Sequence, residues 1–79
     1  MNKPAGQTLD LRGTPCPMNF VRIKLELDRL GAGKDLAVTA DGGDTGRDIL
    51  RSLREQGFVV RNVREHEKWI EFAVSNSHG

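Results

Sequence analysis

Cys16 is the residue in this chain best suited to covalent chemistry. It stands in the stretch GTPCPMNF, between Pro15 and Pro17 and directly before an amphipathic run. One cysteine cannot close an internal disulfide or complete a four-thiolate zinc site, and His66 and His78 lie far from it along the chain. Cys16 is therefore either a small buried hydrophobe or a nucleophile. The spacing puts it at the start of a helix, where unpaired N–H groups and the positive dipole end favour thiolate over thiol. Pro15 biases the chain before Cys16, and Pro17 disfavours a helical conformation at Cys16 itself. The cysteine is expected to sit extended, as the cap residue, with its sulfur turned toward the helix end. Arg12 and Arg22 are near in sequence and add positive potential. A connection that follows a strand lies near the surface, within reach of a partner.

No histidine lies nearby as a general base, and no second cysteine completes a redox couple. A lone activated thiolate suits chemistry in which the sulfur atom itself is handed on. It accepts a sulfane sulfur, becomes a persulfide and gives that sulfur to the next carrier, each partner supplying its own acid or base.

A strand before the thiol and a helix after it are needed to position it. TLDLRG alternates: Leu9 and Leu11 point one way, Thr8, Asp10 and Arg12 the other, and Gly13 closes the strand. A helix is expected from Pro17 to about Leu30, since proline at the first helical position loses no hydrogen bond. Phe20, Ile23, Leu27 and Leu30 share one face, and GAG stops it. DLAVTAD is a second strand with Leu36, Val38 and Ala40 inward, and GGD turns the chain. A second helix is expected from about Thr45 to Gln56, capped by Asp44 or Thr45, with Ile49, Leu50 and Leu53 inward and Gly57 at its end. FVVRNVR and WIEFAVS form a hairpin joined at EHEK, with Ile70, Phe72 and Val74 alternating with Trp69, Glu71 and Ala73. The implied fold is α+β: a two-layer βαβαββ sandwich, its four-stranded mixed sheet carrying both helices on one face. The other face is expected to be largely open, with Trp69 partly covered there.

The 79 residues suit one domain, with an ordered core of about 8–74 and polar tails at 1–7 and 75–79. A net charge of +1 argues against a general electrostatic grip on nucleic acid or membrane. No apolar run is long enough to span a bilayer, and MNKPAGQ is too short and polar for a secretory signal. A reducing cytoplasm is the expected setting, where a lone thiol stays free. No metal or cofactor is expected; DGGD reads as a cap and turn rather than a cation site.

Two surfaces stand out beside the thiol. Met18, Val21 and Leu25 form a second apolar line on helix one, opposite its core stripe, and are candidates for docking a sulfur donor or acceptor. Arg47, Arg51 and Arg54 line the outer side of helix two, suited to an acidic partner or RNA phosphates, or simply solvated. Arg47 beside Asp48 suggests a local ion pair.

LDLRGTPCP, the helix after it, and AD…TGRDI resemble the TusA/SirA-like sulfurtransferase family, over about Leu9 to Val74 and in the same element order. The likeness rests on Leu-Asp-x-x-Gly-x-x-Cys-Pro and on Arg-Asp-Ile at the opening of helix two. It implies the two-layer βαβαββ fold and a persulfide carried on Cys16. It further implies loading by a cysteine desulfurase or rhodanese and delivery to a downstream acceptor protein. Outlets in the family are tRNA thiolation, molybdenum cofactor maturation and sulfur oxidation. Asp10, Gly13, Cys16 and Pro17 match the first motif; Asp41, Arg47 and Asp48 match the second. Asn19 replaces the second proline of the family's Cys-Pro-x-Pro, and Leu50 replaces a helix-two proline. Asparagine keeps a backbone N–H and is expected to bring a side-chain amide near the thiol. Cys16 is thus the candidate catalytic residue, with Asp10, Arg12, Gly13, Pro17 and Asn19 supporting it. The chain is expected to be a monomer or weak dimer without direct nucleic-acid or membrane binding. Rival readings are an RNA- or protein-binding module, a thiol sensor and a selenium carrier.

Overall fold

A computed structural model describes residues 7–31 and 33–76. The expected tails otherwise lie outside the described residues, at 1–6 and 77–79. The elements run β1 (Gln7–Asp10), α1 (Met18–Leu30), β2 (Asp35–Asp41), α2 (Gly43–Glu55), β3 (Val59–Glu65) and β4 (Trp69–Ser75). The sheet order is β1-β2-β4-β3, with β1 parallel to β2 and the other pairs antiparallel. This is the mixed four-stranded α+β sandwich that the sequence pattern implies.

Alternation explains the strands. Leu36, Val38 and Ala40 of β2 and Ile70, Phe72 and Val74 of β4 are buried, each next to a more exposed neighbour. Ile23 and Leu27 of α1 and Ile49, Leu50 and Leu53 of α2 close over them, with Phe20 and Leu30 packed at the margin. The opposite sheet face carries Thr8, Ala37, Thr39, Glu71 and Ala73, which are exposed or half-buried. Trp69 is half-buried and stacks on His66 at the hairpin tip, ring centroids 4.5 Å apart. In β3 the pairing slips between Arg61 and Arg64, where Asn62 takes a left-handed φ of 58°.

Both helix starts differ from expectation. Pro17 is the N-cap of α1, so the helix begins at Met18 and Cys16 lies one residue outside the cap. α2 begins two residues earlier than the pattern suggests. Its cap is Gly42, and neither Asp44 nor Thr45 caps it by side chain. The backbone at Gly42 and Gly43 is free to turn straight from β2 into the helix, with Gly43 at φ 65°. The end of α2 follows the sequence closely. Gly57 N–H donates to Arg54 C=O (3.1 Å) and Phe58 N–H to Leu53 C=O (3.0 Å), with Gly57 at φ 92°. That is a Schellman closure, and Phe58 and Leu53 supply its apolar contact.

Candidate functional site

Because β1 and β2 are parallel, both connections into helices leave the same end of the sheet. The Leu11–Pro17 segment and the Asp41–Gly43 turn are therefore neighbours. Leu11 is buried and extends the pairing beyond β1: its N–H donates to Thr39 C=O at 2.7 Å.

Nearly every amide of the segment around Cys16 has a partner. Arg12 N–H donates to Asp10 Oδ1 (3.1 Å), and Thr14 N–H to Leu11 C=O (2.9 Å). Gly13 N–H lies 3.0 and 3.2 Å from the two carboxylate oxygens of Asp41. Asn19 N–H donates to Pro15 C=O (3.1 Å), Phe20 N–H to Asn19 Oδ1 (2.6 Å) and Val21 N–H to Pro17 C=O (3.1 Å). Pro15 and Pro17 have no N–H. That leaves the N–H groups of Cys16 and Met18 without a partner among the described residues. One belongs to the exposed free cysteine itself and the other to the residue two positions on. α1 has no side-chain cap and no acidic residue in its first turn, so nothing from its own sequence meets the positive potential there.

Asp10 and Arg12 form a closed local pair. Arg12 Nε reaches Asp10 Oδ1 at 3.0 Å and Nη2 reaches Oδ2 at 2.8 Å. The Arg12 side-chain hydrogen bonds, with its backbone N–H, hold the Asp10 carboxyl down at about 2, and the same contact raises the Arg12 guanidinium. The positive charge expected to act on Cys16 from Arg12 is thus committed largely to Asp10. Arg22 is exposed and carries no ion pair among the described residues.

Asn19 corrects a second expectation. Its side chain does not stand open beside the thiol; it is 1% exposed. Asn19, Ile23 and Leu27 follow at intervals of four, on the buried line of α1. Its Nδ2 is buried without a hydrogen-bond partner among the described residues.

The apolar line on α1 is open: Met18, Val21 and Leu25 are 50%, 37% and 59% exposed. It starts two residues from Cys16. The α2 arginines are exposed too, but Arg47 pairs with Asp44 (3.1 Å) rather than Asp48, and Asp48 pairs with Arg51 (3.7 Å). Those pairs offset much of the basic stripe, which weakens the RNA-binding reading. A groove of about 580 Å³ runs between α2 and β3, lined by Arg47, Leu50, Arg51, Arg54, Glu55 and Glu65, and none of these belongs to the Cys16 segment. Among the described residues no three His, Cys, Asp or Glu side chains gather to hold a metal ion. No described helix is long and apolar enough to cross a membrane.

Sequence reasoning matched Asp41 to a motif but gave it no task. Its bond to Gly13 joins residues 28 apart, and no local pattern announces such a contact.

Comparison with known proteins agrees with this geometry. A protein of Archaeoglobus fulgidus named "Putative sulfur carrier protein" is 36% identical over 61 residues, covering 77% of this chain and 69% of its own length. Two Neisseria meningitidis proteins with the same descriptive name, from serogroups A and B, are each 29% identical over 70 residues, covering 89% of this chain and 95% of theirs. The family model described as Sulfurtransferase TusA matches residues 7–76, from the first residue of β1 to just past β4. With the fold, the element order and the cysteine segment all falling inside that match, the chain belongs to the TusA sulfurtransferase family.

Proposed function

We propose that this sulfur carrier works by holding sulfane sulfur as a persulfide on Cys16. In the loading step, Cys16 Sγ attacks the terminal sulfur of a donor persulfide. A new S–S bond forms at Cys16, the donor's S–S bond breaks, and the donor's thiolate leaves. In the delivery step a nucleophile of the acceptor attacks that terminal sulfur, and Cys16 leaves as thiolate. Each exchange moves one sulfur atom and needs no outside oxidant. The observation that carries the reading is that, among the described residues, the N–H groups of the exposed Cys16 and of Met18 two residues on have no partner in a segment whose other amides are bonded. Such donors stabilise sulfur anions both before attack and on departure.

A cysteine desulfurase or rhodanese is the donor class proposed, a downstream protein the acceptor, and the cytoplasm the setting. The open line Met18, Val21 and Leu25 is the proposed seat for the donor, because it leads directly to the thiol.

Incubation with a cysteine desulfurase and cysteine, followed by intact mass measurement, tests the chemistry. One added sulfur atom is expected, removed by reductant and absent from Cys16→Ser. No gain with several competent donors overturns the reading. Val21→Glu is expected to slow loading by about tenfold, a charge placed in a desolvated contact, while the melting temperature holds. Unchanged loading would remove the docking line from the account.

A further inference from the structure

We propose that Asp41 is a positioning residue for Cys16, acting through the Gly13 amide; this rests on the carrier reading above. Asp41 is the last residue of β2 and touches the thiol segment from a different strand. Its two oxygens straddle the Gly13 N–H at 3.0 and 3.2 Å. Apart from the local contact of Asp10 with Arg12, two residues on, this is the side-chain contact that ties the segment between Leu11 and Pro17 to another element among the described residues.

Asp41 is itself firmly placed. It pairs with Trp69 across the β2–β4 ladder, and the next residue, Gly42, donates its N–H to Lys68 C=O at 3.1 Å. α2 then packs back on the Asp41 carbonyl through Gly46, which has no side chain to hold it off. The carboxylate is therefore a fixed point against which a surface segment can be registered.

Gly13 is the right atom group to hold. It takes a φ of 84°, the left-handed region that glycine accepts without strain. Between it and Cys16 stand only Thr14, whose N–H is bonded to Leu11 C=O, and Pro15, whose φ is fixed by its ring. A displacement at Gly13 thus passes to Cys16 with little slack. On the far side, Asn19 N–H closes onto Pro15 C=O across the cysteine. Asp41 fixes the entry to the thiol segment and Asn19 its exit, so the sulfur is presented in one place relative to the Cys16 and Met18 amides.

The role predicts a particular split in kinetics. An incoming persulfide must meet Sγ in line, and a misplacement of about 1 Å costs a large factor in the transfer step. Docking on α1 and simple exposure of the thiol do not depend on that alignment. Asp41→Ala is expected to lower the maximal rate of sulfur loading from a cysteine desulfurase by about tenfold. The KM for the carrier should stay within about twofold, because the docking line on α1 persists. Gly13 amide exchange should become faster. Asp41→Asn keeps an acceptor oxygen and should recover most of the rate. Asp41→Val, which suits a strand end and accepts no hydrogen bond, is made in parallel and should match Asp41→Ala, so the test survives poor folding of either. Loading by Asp41→Ala or Asp41→Val at the wild-type rate overturns this role alone. An Asp41→Asn as slow as Asp41→Ala overturns the hydrogen-bond mechanism. A wild type that accepts no sulfur from competent donors overturns the carrier reading, and this role with it.

Discussion

The two helices start at the same end of the sheet, and neither uses a side chain as its cap. There the likeness stops. α2 carries Asp44 in its first turn, and that carboxylate is in turn paired with Arg47. Its Gly46 lets the helix settle against the β2–α2 turn and Ile70. α1 is capped by Pro17, has no acid in its first turn, and keeps an exposed cysteine just outside. Both ends carry the same positive backbone potential. At α2 the chain meets it with its own anion and seals the junction by packing. At α1 no acid of its own first turn meets that potential, and on the proposed reading it is left for the sulfur anion of the reaction. A helix start becomes chemically useful here through what is withheld from it.

Breaking the sealed end should have the largest effect. A Cβ on Gly46 would lie 2.8 Å from the Asp41 backbone oxygen and 2.9 Å from Ile70 Cδ1. Gly46→Val is expected to cost about 1–3 kcal/mol by overpacking, despite the lower helix propensity of glycine. Urea unfolding measures it. Because the displaced atom belongs to Asp41, sulfur loading should fall as well; a destabilised variant with full loading would separate the two helix ends. The reverse change makes α1 resemble α2. Met18→Glu puts a carboxylate in the first turn, where it competes with a sulfur anion for the same amides. Alkylation of Cys16 by iodoacetamide at neutral pH should slow by about two- to fivefold, matching a dipole-scale interaction of about 0.3–1 kcal/mol. The neutral analogue Met18→Gln should react like the wild type. Equal rates for all three would mean that the withheld potential does not act on the thiol.

The sandwich was legible because burial and periodicity coincide. Leu36-Val38-Ala40 and Ile70-Phe72-Val74 alternate cleanly, and every one of them is buried. The end of α2 was legible because glycine accepts the left-handed φ at Gly57 without strain. The helix starts were less so. Glycine at Gly42 caps without a side-chain signature, and Pro17 suits the cap as well as the first helical position. Around the thiol, composition marked Cys16, but long-range partners decide what the segment does. The Asp41–Gly13 contact depends on strand register. Asn19 shows the opposite failure: its spacing from Ile23 and Leu27 placed it on the core line, while its polarity suggested the surface, and spacing won. Among the described residues its Nδ2 has no partner, so burial on the core line came without a hydrogen bond to match.

The smallest effect tests whether the α1 end is also kept free of neighbouring charge. Asp10 and Arg12 neutralise each other through two side-chain bonds, so the Asp10 carboxylate does not compete with the sulfur for the helix amides. The pair is exposed, so its contribution to stability is screened and small. Its direction is nevertheless fixed by linkage. The folded carboxyl titrates at about 2, below its ordinary 3.8, so the unfolded chain binds a proton first as pH falls. The contribution is complete above about pH 4 and is lost as pH drops through about 2. Melting temperature followed from pH 5 to pH 2 should therefore decline slightly less steeply in Asp10→Asn than in the wild type. That variant also releases Arg12, whose full charge then lies in the segment leading to Cys16. Iodoacetamide alkylation in Asp10→Asn should rise modestly at low ionic strength, and the rise should vanish in high salt. An identical acid slope together with an unchanged alkylation rate would show that this pair does not shield the helix start, and that its emptiness owes nothing to Asp10.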